Sequence, residues 1–458
     1  MTTSPTPATP GLCIAATASG TGKTTIATGL IAALARRMNV APFKVGPDYI
    51  DPGYHTLAAG RVGRNLDSVM CGPDLIGPLY AHGSRGADIA VVEGVMGLFD
   101  GRISDGAGST ADIAQQLGLP VILVVDVRGM SQSAGALVKG FATAREGVRV
   151  AGAIINMVGT ARHEQVCREA IEAEGIPVVG AIPRQDKVEV PSRHLGLITA
   201  AERGAQAVEA VAMMADLIER HIDMDMVCAL ARCSYTGPEW DPKQQLHRVE
   251  GNPTVAIAGG PAFSFAYAEH QELLEAAGAK VLRFDPLRDP FPACDGLIIP
   301  GGFPEEHVEK LSARADLREA ITAHVSAGKP IHGECAGLLW LLSSLDAHPM
   351  LGIIGTHAAM GRRLTLGYRE AVALTDSVLY RVGERITGHE FHHTALTEET
   401  VDGFDTAWGW RGWDGAKKRE GFVSPTVHAS YLHIHPAAAP HAIERFVRAC
   451  VGDRAVLA

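Results

Sequence analysis

The sequence predicts two α/β domains in one chain, the first of them a parallel sheet that carries a phosphate-binding loop. Three observations predict this fold class. Short β-rich apolar runs alternate with helical patterns in both halves of the chain, a glycine-rich segment ending in Lys23 and Thr24 follows the first run, and a second glycine-flanked turn carries Cys335. Together they indicate a P-loop domain followed by a domain with a nucleophilic cysteine.

Composition favours a soluble protein that acts on small molecules. The chain has 458 residues, of which 47% are hydrophobic and 20% charged, which allows two or three domains. Its net charge of −10 disfavours nucleic acid or an anionic membrane as a partner. No apolar run approaches the roughly 20 residues of a transmembrane helix. We therefore expect a cytoplasmic protein with reduced cysteines and no membrane contact.

The domain limits follow from shifts in pattern. Residues 1–9 predict a disordered leader rather than a signal peptide, and residues 10–222 the P-loop domain. A loosened composition at 223–250 predicts a linker, with the boundary near residue 245, and the second domain then occupies 251–455. The predicted strands are 12–18, 42–45, 89–93, 121–126, 153–156, 178–182, 254–260, 281–284 and 297–300. An apolar stripe (Ile26, Leu30, Ala33 and Leu34) predicts a core-facing helix after the first strand, and 266–277 predicts another helix.

The phosphate loop is the strongest motif of the first half. Residues 16–25 read Ala-Thr-Ala-Ser-Gly-Thr-Gly-Lys-Thr-Thr between a predicted strand and a predicted helix, although the strict motif has glycine where Thr17 stands. Backbone amides and the helix start favour an anion, Lys23 would reach the β and γ phosphates, and Thr24 would ligate magnesium. A glycine-rich turn can also be purely structural. The predicted ATP-binding residues are Ser19, Gly20, Thr21, Gly22, Lys23, Thr24 and Thr25, with Asn156 after a later strand.

Carboxylates follow two further strands. Asp48 and Asp51 lie three residues apart on a turn, and Glu93 ends a predicted strand, where α/β sheets bind ligands. We expect Asp48 and Glu93 to join Thr24 around magnesium, because Mg²⁺ prefers oxygen ligands. Asp51 and Asp100 are predicted to orient the substrate, with turn capping as the alternative. Weaker candidates, which could equally form surface salt bridges, are Arg128, Arg184 and Arg193.

The second half carries a nucleophile-elbow pattern. Residues 330–339 read Pro-Ile-His-Gly-Glu-Cys-Ala-Gly-Leu-Leu, so a strand turns into a helix at Cys335, where the helix start favours a thiolate. Amides of Gly301, Gly302 and Ala336 could stabilise an oxyanion. The base could be His433 or His435, which we expect on one face of a strand, and their spacing does not choose between them.

These motifs resemble the cobyrinic acid and hydrogenobyrinic acid a,c-diamide synthase family over nearly the whole chain. The first domain resembles dethiobiotin synthetase through residues 19–24, 44–52 and 92–101. The second is similar to class I glutamine amidotransferases of the cobyric acid synthase branch through residues 300–305, 333–337 and 430–433. That resemblance selects His433 as base and leaves His435 as second choice. Class I enzymes usually have an acidic residue two positions after the base histidine. If His433 is the base, His435 occupies that position. If His435 is the base, Ala437 occupies it.

The resemblance implies an ATP-dependent, glutamine-hydrolysing ligase. ATP with Mg²⁺ would phosphorylate the c and then the a carboxylate of a corrinoid polycarboxylic acid, and ammonia that Cys335 releases from glutamine would attack each acyl phosphate. Lys44 and Tyr49, from the same motif as Asp51, complete the predicted substrate site. A homodimer is compatible with this family.

Three alternatives remain at this stage. Within the branch they are cobyric acid synthase, against which residues 44–52 argue, and a diamide synthase acting on nickel sirohydrochlorin. From another class, a partition-type P-loop switch ATPase would use the second domain as a scaffold, and such a scaffold has no need of an elbow thiol. The sequence does not indicate whether the corrinoid contains cobalt.

Overall fold

The computed structural model describes residues 8–184 and 204–452, so Arg193, most of the predicted leader and residues 453–455 lie outside the described part. The chain divides after Trp240 into two compact units. Residues of the predicted linker contribute to both, because the helix Met224–Leu230 belongs to the first unit. Within the described ranges no helix is long and apolar enough to cross a membrane.

The first unit is a parallel sheet covered by helices. Its strands are β1 (Gly11–Ala16), β2 (Val40–Val45), β3 (Arg64–Leu66), β4 (Ile89–Glu93), β5 (Val121–Asp126), β6 (Val150–Val158) and β7 (Val178–Pro183). Its helices are α1 (Lys23–Ala35), α2 (Asp51–Ala59), α3 (Ile76–Gly83), α4 (Thr110–Leu117), α5 (Ser133–Thr143), α6 (Ala161–Glu172), α7 (Ala205–His221) and α8 (Met224–Leu230). The strand order is β3-β2-β4-β1-β5-β6-β7, and every described pairing is parallel.

This order brings the three predicted motifs of the first unit to one edge. Strands β1, β2 and β4 are neighbours, and Glu93 of β4 lies beside Ile14 of β1 and Lys44 of β2. Because the carboxyl ends of parallel strands meet at the same edge, the loops after all three strands converge there.

Helix α1 is buried on more than its predicted stripe. The stripe residue Ile26 is buried, but so are Gly29, which borders the stripe, and Thr28, which lies on the opposite side of the helix. Gly29 touches α7, since a Cβ built there would lie 2.7 Å from Met214 O and from Ile218 Cγ1. The sheet and α7 both pack against this helix. Its buried residues therefore extend beyond the single apolar face that the sequence predicted.

The second unit combines a parallel core with an antiparallel extension. Its strands are β8 (Thr254–Ala258), β9 (Lys280–Phe284), β10 (Gly296–Ile299), β11 (Ile331–Glu334), β12 (Leu342–Leu345), β13 (His348–Pro349), β14 (Ile354–Ala373), β15 (Arg385–Leu396), β16 (Asp405–Arg411), β17 (Lys417–Val423) and β18 (Val427–Ser430). Its helices are α9 (Ala268–Ala276), α10 (Val308–Ser312), α11 (Ala315–Ser326), α12 (Ala336–Leu341) and α13 (Pro440–Cys450).

Strands β9, β8, β10, β11 and β18 pair in parallel in that order. From β18 the sheet continues antiparallel through β17, β16 and β14, and β15 pairs with β14 in a long ribbon. The elbow strand β11 lies between β10 and β18, so the turn at its end emerges from the interior of the sheet and not from an edge strand.

Candidate active sites

The phosphate loop of the first unit is exposed at its tip, and the side chain of Asn156 supports its backbone. Gly20 and Gly22 have φ of 78° and 91°, in the left-handed region that glycine adopts without strain. A Cβ on Gly22 would lie 2.5 Å from Asn156 Nδ2, which donates a hydrogen bond to the Thr21 carbonyl at 2.8 Å. Asn156 therefore supports the backbone of the loop, which the sequence did not predict for it.

Lys23, at the start of α1, is directed at a backbone oxygen. Its Nζ donates to the carbonyl of Met96 at 2.9 Å, and Met96 itself has a left-handed φ of 46°. Burial, with repulsion from Lys44, lowers the pKa of Lys23 to about 8. The ammonium thus lies beside the loop and has a partner that a phosphate oxygen can replace.

A buried ionic cluster lies behind the loop, and we call its members Thr24, Lys44, Asp51 and Glu93 the β2 cluster. Thr24 Oγ1 donates to Glu93 Oε1 at 2.6 Å and lies 3.3 Å from Asp51 Oδ2. Lys44 Nζ donates to Asp51 Oδ2 at 2.5 Å and to Glu93 Oε1 at 2.9 Å. Three predicted site residues and the loop threonine therefore meet within hydrogen-bonding distance.

His55 is a member of this site that sequence reasoning missed. Its Nε2 lies 2.8 Å from Glu93 Oε2, and both side chains are fully buried. His55 follows Asp51 by four residues on α2, so the two share one helix face, and that spacing was the available signal. Burial alone would raise the pKa of Glu93, but Lys44 and His55 overcome it and lower that pKa below its ordinary value.

Two predicted carboxylates have local roles in the backbone. Asp48 Oδ1 accepts hydrogen bonds from the amides of Ile50 and Asp51, at 2.9 and 3.0 Å, so it caps the start of α2. Its other oxygen lies 3.7 Å from Lys44 Nζ. Asp100 accepts from the Gly97 amide at 2.9 Å, which is the turn role given as the alternative. Asp51 was predicted to orient the substrate. It lies instead in the cluster with Thr24 and Glu93, the two residues predicted to bind magnesium.

The remaining predicted residues of this unit lie around the edge. Tyr49 is half-buried in the loop between β2 and α2, and Ser19 is exposed in the phosphate loop. Arg128 pairs with Asp126 in an exposed ion pair, and Arg184 is the last residue described after β7.

The donor chemistry of the β2 cluster fits a hard cation. A hydroxyl and two carboxylates supply only oxygen, the ligand type that Mg²⁺ prefers, and Mg²⁺ commonly takes its other ligands from phosphates and water. Among the described residues no three His, Cys, Asp or Glu side chains form a complete metal site by themselves. The arrangement fits an ion that arrives with nucleotide.

The elbow of the second unit is built on a strained backbone. Strand β11 ends at Glu334, helix α12 begins at Ala336, and Cys335 between them has φ 50° and ψ −97°. A non-glycine residue in such a conformation costs on the order of 1–3 kcal/mol and persists only when its surroundings hold it. Here the Cys335 amide donates to the Ser430 carbonyl at 2.7 Å. The thiol is thereby fixed at the start of α12.

His433 is the histidine that the fold brings to the thiol, although the predicted strand is wrong. Strand β18 ends at Ser430, and His433 follows in a loop that exchanges two backbone hydrogen bonds of 2.9 Å with His389. Its imidazole lies close enough to the Cys335 thiol for that group to help raise the pKa of His433. The ring of His435 packs on Tyr267, with centroids 4.3 Å apart. Because the two histidines do not share a strand, the face argument does not apply, and the geometry favours His433.

Glu334 supplies the acid that the sequence left open. Its Oε1 lies 2.7 Å from His433 Nδ1, and both side chains are buried. Burial would lower the pKa of His433, but the Cys335 thiol and the Glu334 carboxylate overcome it and raise that pKa above its ordinary value. The sequence did contain a signal for this acid, because Glu334 directly precedes the predicted nucleophile Cys335. The motif analysis treated Glu334 only as part of the turn. Cys335, His433 and Glu334 thus have the arrangement that a nucleophile, its base and an orienting acid require.

Gly301 and Gly302, predicted for the oxyanion, are required by close packing. A Cβ on Gly301 would lie 2.4 Å from His433 Cε1, and one on Gly302 would lie 2.2 Å from the Ala262 carbonyl. The loop after β10 therefore passes directly against the imidazole. Ala336 begins α12, so its amide belongs to the free first turn of that helix.

Glu420 holds the loop that leads to His433 and was also missed. It accepts from Ser430 Oγ at 2.6 Å and from the Tyr431 amide at 2.8 Å. Burial raises the pKa of Glu420 to about 8. Since Ser430 also binds the Cys335 amide, Glu420 supports nucleophile and base together.

These two sites define the class of protein: a P-loop nucleotide-binding domain joined to a cysteine-dependent amidotransferase domain. Residues 12–198 match the CobQ/CobB/MinD/ParA nucleotide binding domain, and residues 254–440 match the CobB/CobQ-like glutamine amidotransferase domain.

Whole-chain relatives define the family. The chain is 55% identical to hydrogenobyrinate a,c-diamide synthase of Mycobacterium bovis, over 97% of this chain and 99% of the relative. It is 49% identical to the enzyme of that name from Streptomyces coelicolor, over 97% and 98%. It is 39% identical to cobyrinate a,c-diamide synthase of Gloeobacter violaceus, over 96% and 97%. The chain therefore belongs to the hydrogenobyrinate and cobyrinate a,c-diamide synthase family, which confirms the predicted family and fold class.

The first prediction concerns the orienting acid. Glu334→Gln should lower kcat/KM for glutamine hydrolysis by roughly 10²-fold or more, because the imidazole loses its anchor. The acidic limb of the pH profile should also move to lower pH, since His433 acts as a base only when it is neutral and the carboxylate that raises its pKa is gone. Glutamate release measured across pH tests both effects. Glu319→Gln, on the exposed face of α11, is the matched control. An unchanged pH profile in Glu334→Gln would contradict the role.

The second prediction concerns the close approach at the imidazole. Gly301→Ala should reduce glutamine hydrolysis about tenfold or more, because the added methyl displaces His433. Gly355→Ala is the control, since its Cβ would have 3.4 Å to the nearest atom, Val401 Cγ1. Equal activities of the two variants would show that the loop adapts without moving the base.

The third prediction concerns stability and pH. Glu420 has a folded-state pKa near 8 against an ordinary value of 4.5, so the folded chain holds a proton that the unfolded chain releases between these values. The free energy of unfolding should therefore fall as pH rises through this window, and Glu420→Gln should remove that part of the slope. Urea midpoints at pH 5.5 and 8.5 measure it, and the difference between the two proteins cancels all other titrating groups. Parallel curves would refute the shift.

Proposed function

We propose that this chain converts two carboxylates of hydrogenobyrinate, a and c, to amides, using ATP and the ammonia of glutamine. The observation that carries the proposal is the Cys335, His433 and Glu334 arrangement in a chain that also holds a phosphate loop. Hydrogenobyrinate is preferred to the cobalt-containing acid because the two relatives named for it are more similar to this chain than the relative named for cobyrinate.

In the second unit, glutamine hydrolysis would proceed through a thioester. His433 takes the Cys335 proton, and the sulfur attacks the side-chain amide carbon of glutamine. The imidazolium, held by Glu334, returns the proton to the departing nitrogen and ammonia leaves. Water activated by His433 then cleaves the thioester and releases glutamate. The Ala336 amide, at the start of α12, is our candidate for the oxyanion, with the loop at Gly301 and Gly302 beside it.

In the first unit, the loop and Lys23 would hold the phosphates of ATP. The Lys23 ammonium exchanges the Met96 carbonyl for a phosphate oxygen, and the substrate carboxylate attacks the γ phosphorus. ADP leaves and an acyl phosphate forms, so the carboxylate oxygen becomes a leaving group. Ammonia then attacks the acyl carbon and inorganic phosphate departs. The same sequence repeated at the second carboxylate gives the diamide.

Magnesium has a place in this scheme at the β2 cluster. Thr24, Asp51 and Glu93 would hold it, and it would neutralise charge on the phosphates during transfer. This assignment replaces Asp48 by Asp51, because Asp48 caps α2 while Asp51 faces Thr24. Lys44 and Tyr49 lie before and within the loop that leads to α2 and are kept as substrate-binding candidates.

The fourth prediction separates the two chemistries. Cys335→Ala should abolish amidation driven by glutamine and retain amidation driven by ammonium, because ammonia bypasses the thioester. Incubation with MgATP and hydrogenobyrinate, followed by product mass, detects each replacement of a hydroxyl by an amino group. Cys228→Ala, at a half-exposed position in the first unit, is the control. ATP turnover without amidation, and indifferent to Cys335, would instead support a nucleotide-dependent switch.

A further inference from the structure

Lys44 is a buried lysine on a strand, at a position where an apolar side chain would be expected. It lies on β2, only 3% exposed, in a run whose other members are also buried. A buried ammonium is costly unless it is paired, and here the pairing is dense. Its Nζ lies 2.5 Å from Asp51 Oδ2, 2.9 Å from Glu93 Oε1 and 3.7 Å from Asp48 Oδ2.

The oxygens that hold Lys44 are the same atoms that face Thr24. Thr24 Oγ1 contacts Glu93 Oε1 at 2.6 Å and Asp51 Oδ2 at 3.3 Å, and the two shortest ion-pair contacts of Lys44 Nζ are with those same two atoms. An ion ligated by Thr24 and both carboxylates would need the lone pairs that the ammonium now uses. Lysine and a divalent cation are therefore competitors for one pair of oxygen atoms.

The charges nearby make Lys44 the main compensation for these acids. Lys23 is bound to the Met96 carbonyl, and His55 lies on the opposite oxygen of Glu93, Oε2. Without the Lys44 ammonium, Asp51 and Glu93 would lie buried with their facing oxygens shared only by a neutral hydroxyl. Such an arrangement favours either a resident cation or an arriving one.

We propose that the Lys44 ammonium is a built-in counter-ion, which stands between Asp51 and Glu93 in the unloaded chain and is displaced by the divalent cation that accompanies nucleotide. The proposal rests on the use of a metal–nucleotide complex at this edge, as proposed above. It gives the site two properties: the acids are never left uncompensated, and free cation binds weakly until phosphates add their own ligands. Once displaced, the ammonium is available to an anionic oxygen of the substrate.

The test measures cation binding directly, in the full chain, without nucleotide, glutamine or corrinoid. Mn²⁺ serves as the probe, and the electron paramagnetic resonance of free Mn²⁺ reports its affinity. Lys44→Gln should bind Mn²⁺ about tenfold or more tightly than the unaltered chain, a coupling of the size expected within one ion-pair network. Lys139→Gln removes an exposed lysine paired with Glu174 and should change nothing. Lys44→Arg, which keeps the charge, should also show no gain.

Two further arms locate the effect and guard against misfolding. Adding Glu93→Gln to Lys44→Gln should abolish the gain, which places the ion at the β2 cluster. In EDTA, Lys44→Gln should melt at a lower temperature than Lys139→Gln, and Mg²⁺ should recover most of the loss.

Two outcomes would overturn the proposal: Mn²⁺ affinity in Lys44→Gln no higher than in the unaltered chain, or a Lys44→Gln chain that Mg²⁺ does not restabilise. Either result would make Lys44 a structural partner of the acids only. Since no substrate is present, failure of the amidation proposal would leave these measurements unchanged, and the two proposals are tested separately.

Discussion

A buried charge has to be paired, and both candidate sites of this chain depend on that constraint. In the first unit Lys44 is enclosed by Asp51 and Glu93, and in the second Glu334 is enclosed with His433. The direction of each pKa follows from these pairs: burial opposes the charged forms of Glu93 and His433, and their partners overcome it. Glu93 and His433 are thus each held in a charged state that burial alone would suppress.

Parallel sheets make such pairs from residues far apart in sequence. Lys44 and Glu93 are opposite one another on β2 and β4, so the register of two strands sets their contact. Glu334 ends β11, and His433 lies just beyond β18, its parallel neighbour. The topology that brings the loops to one edge of the sheet therefore also brings the ionic partners together. The distances within each site are set by the register of neighbouring strands.

Sequence patterns predicted the elements that have strong local signals. Strands 89–93 and 121–126 were predicted with the bounds of β4 and β5, and the loop before Lys23 and the elbow at Cys335 lie where their motifs placed them. These signals are local, since a glycine-rich turn or an apolar run depends on a few consecutive residues. The backbone positions of these two segments could therefore be predicted from the sequence.

What sequence reasoning missed depends on non-local contacts. His55 and Glu420 belong to no motif and Glu334 was taken only as part of the elbow, yet each matters because another element lies against it. The ribbon of β14 and β15 was not predicted, because buried and exposed residues alternate only at the start of β14 and the residues that follow are exposed or half-buried over much of its length. Spacing could not choose between His433 and His435 for a related reason, since strand β18 ends three residues before the first of them.

The strained backbone of Cys335 allows residues of the elbow to meet His433, which is far away in sequence. Along a regular strand, neighbouring side chains point to opposite faces, so Glu334 and Cys335 could not both reach one imidazole. The left-handed φ of Cys335 breaks this alternation at the end of β11, and its amide is then held by Ser430. As a result the acid and the thiol, which are consecutive in sequence, both act on one ring: Glu334 binds it, and both groups raise its pKa. The strain at Cys335 is therefore what allows a strand to supply both the nucleophile and the residue that orients its base.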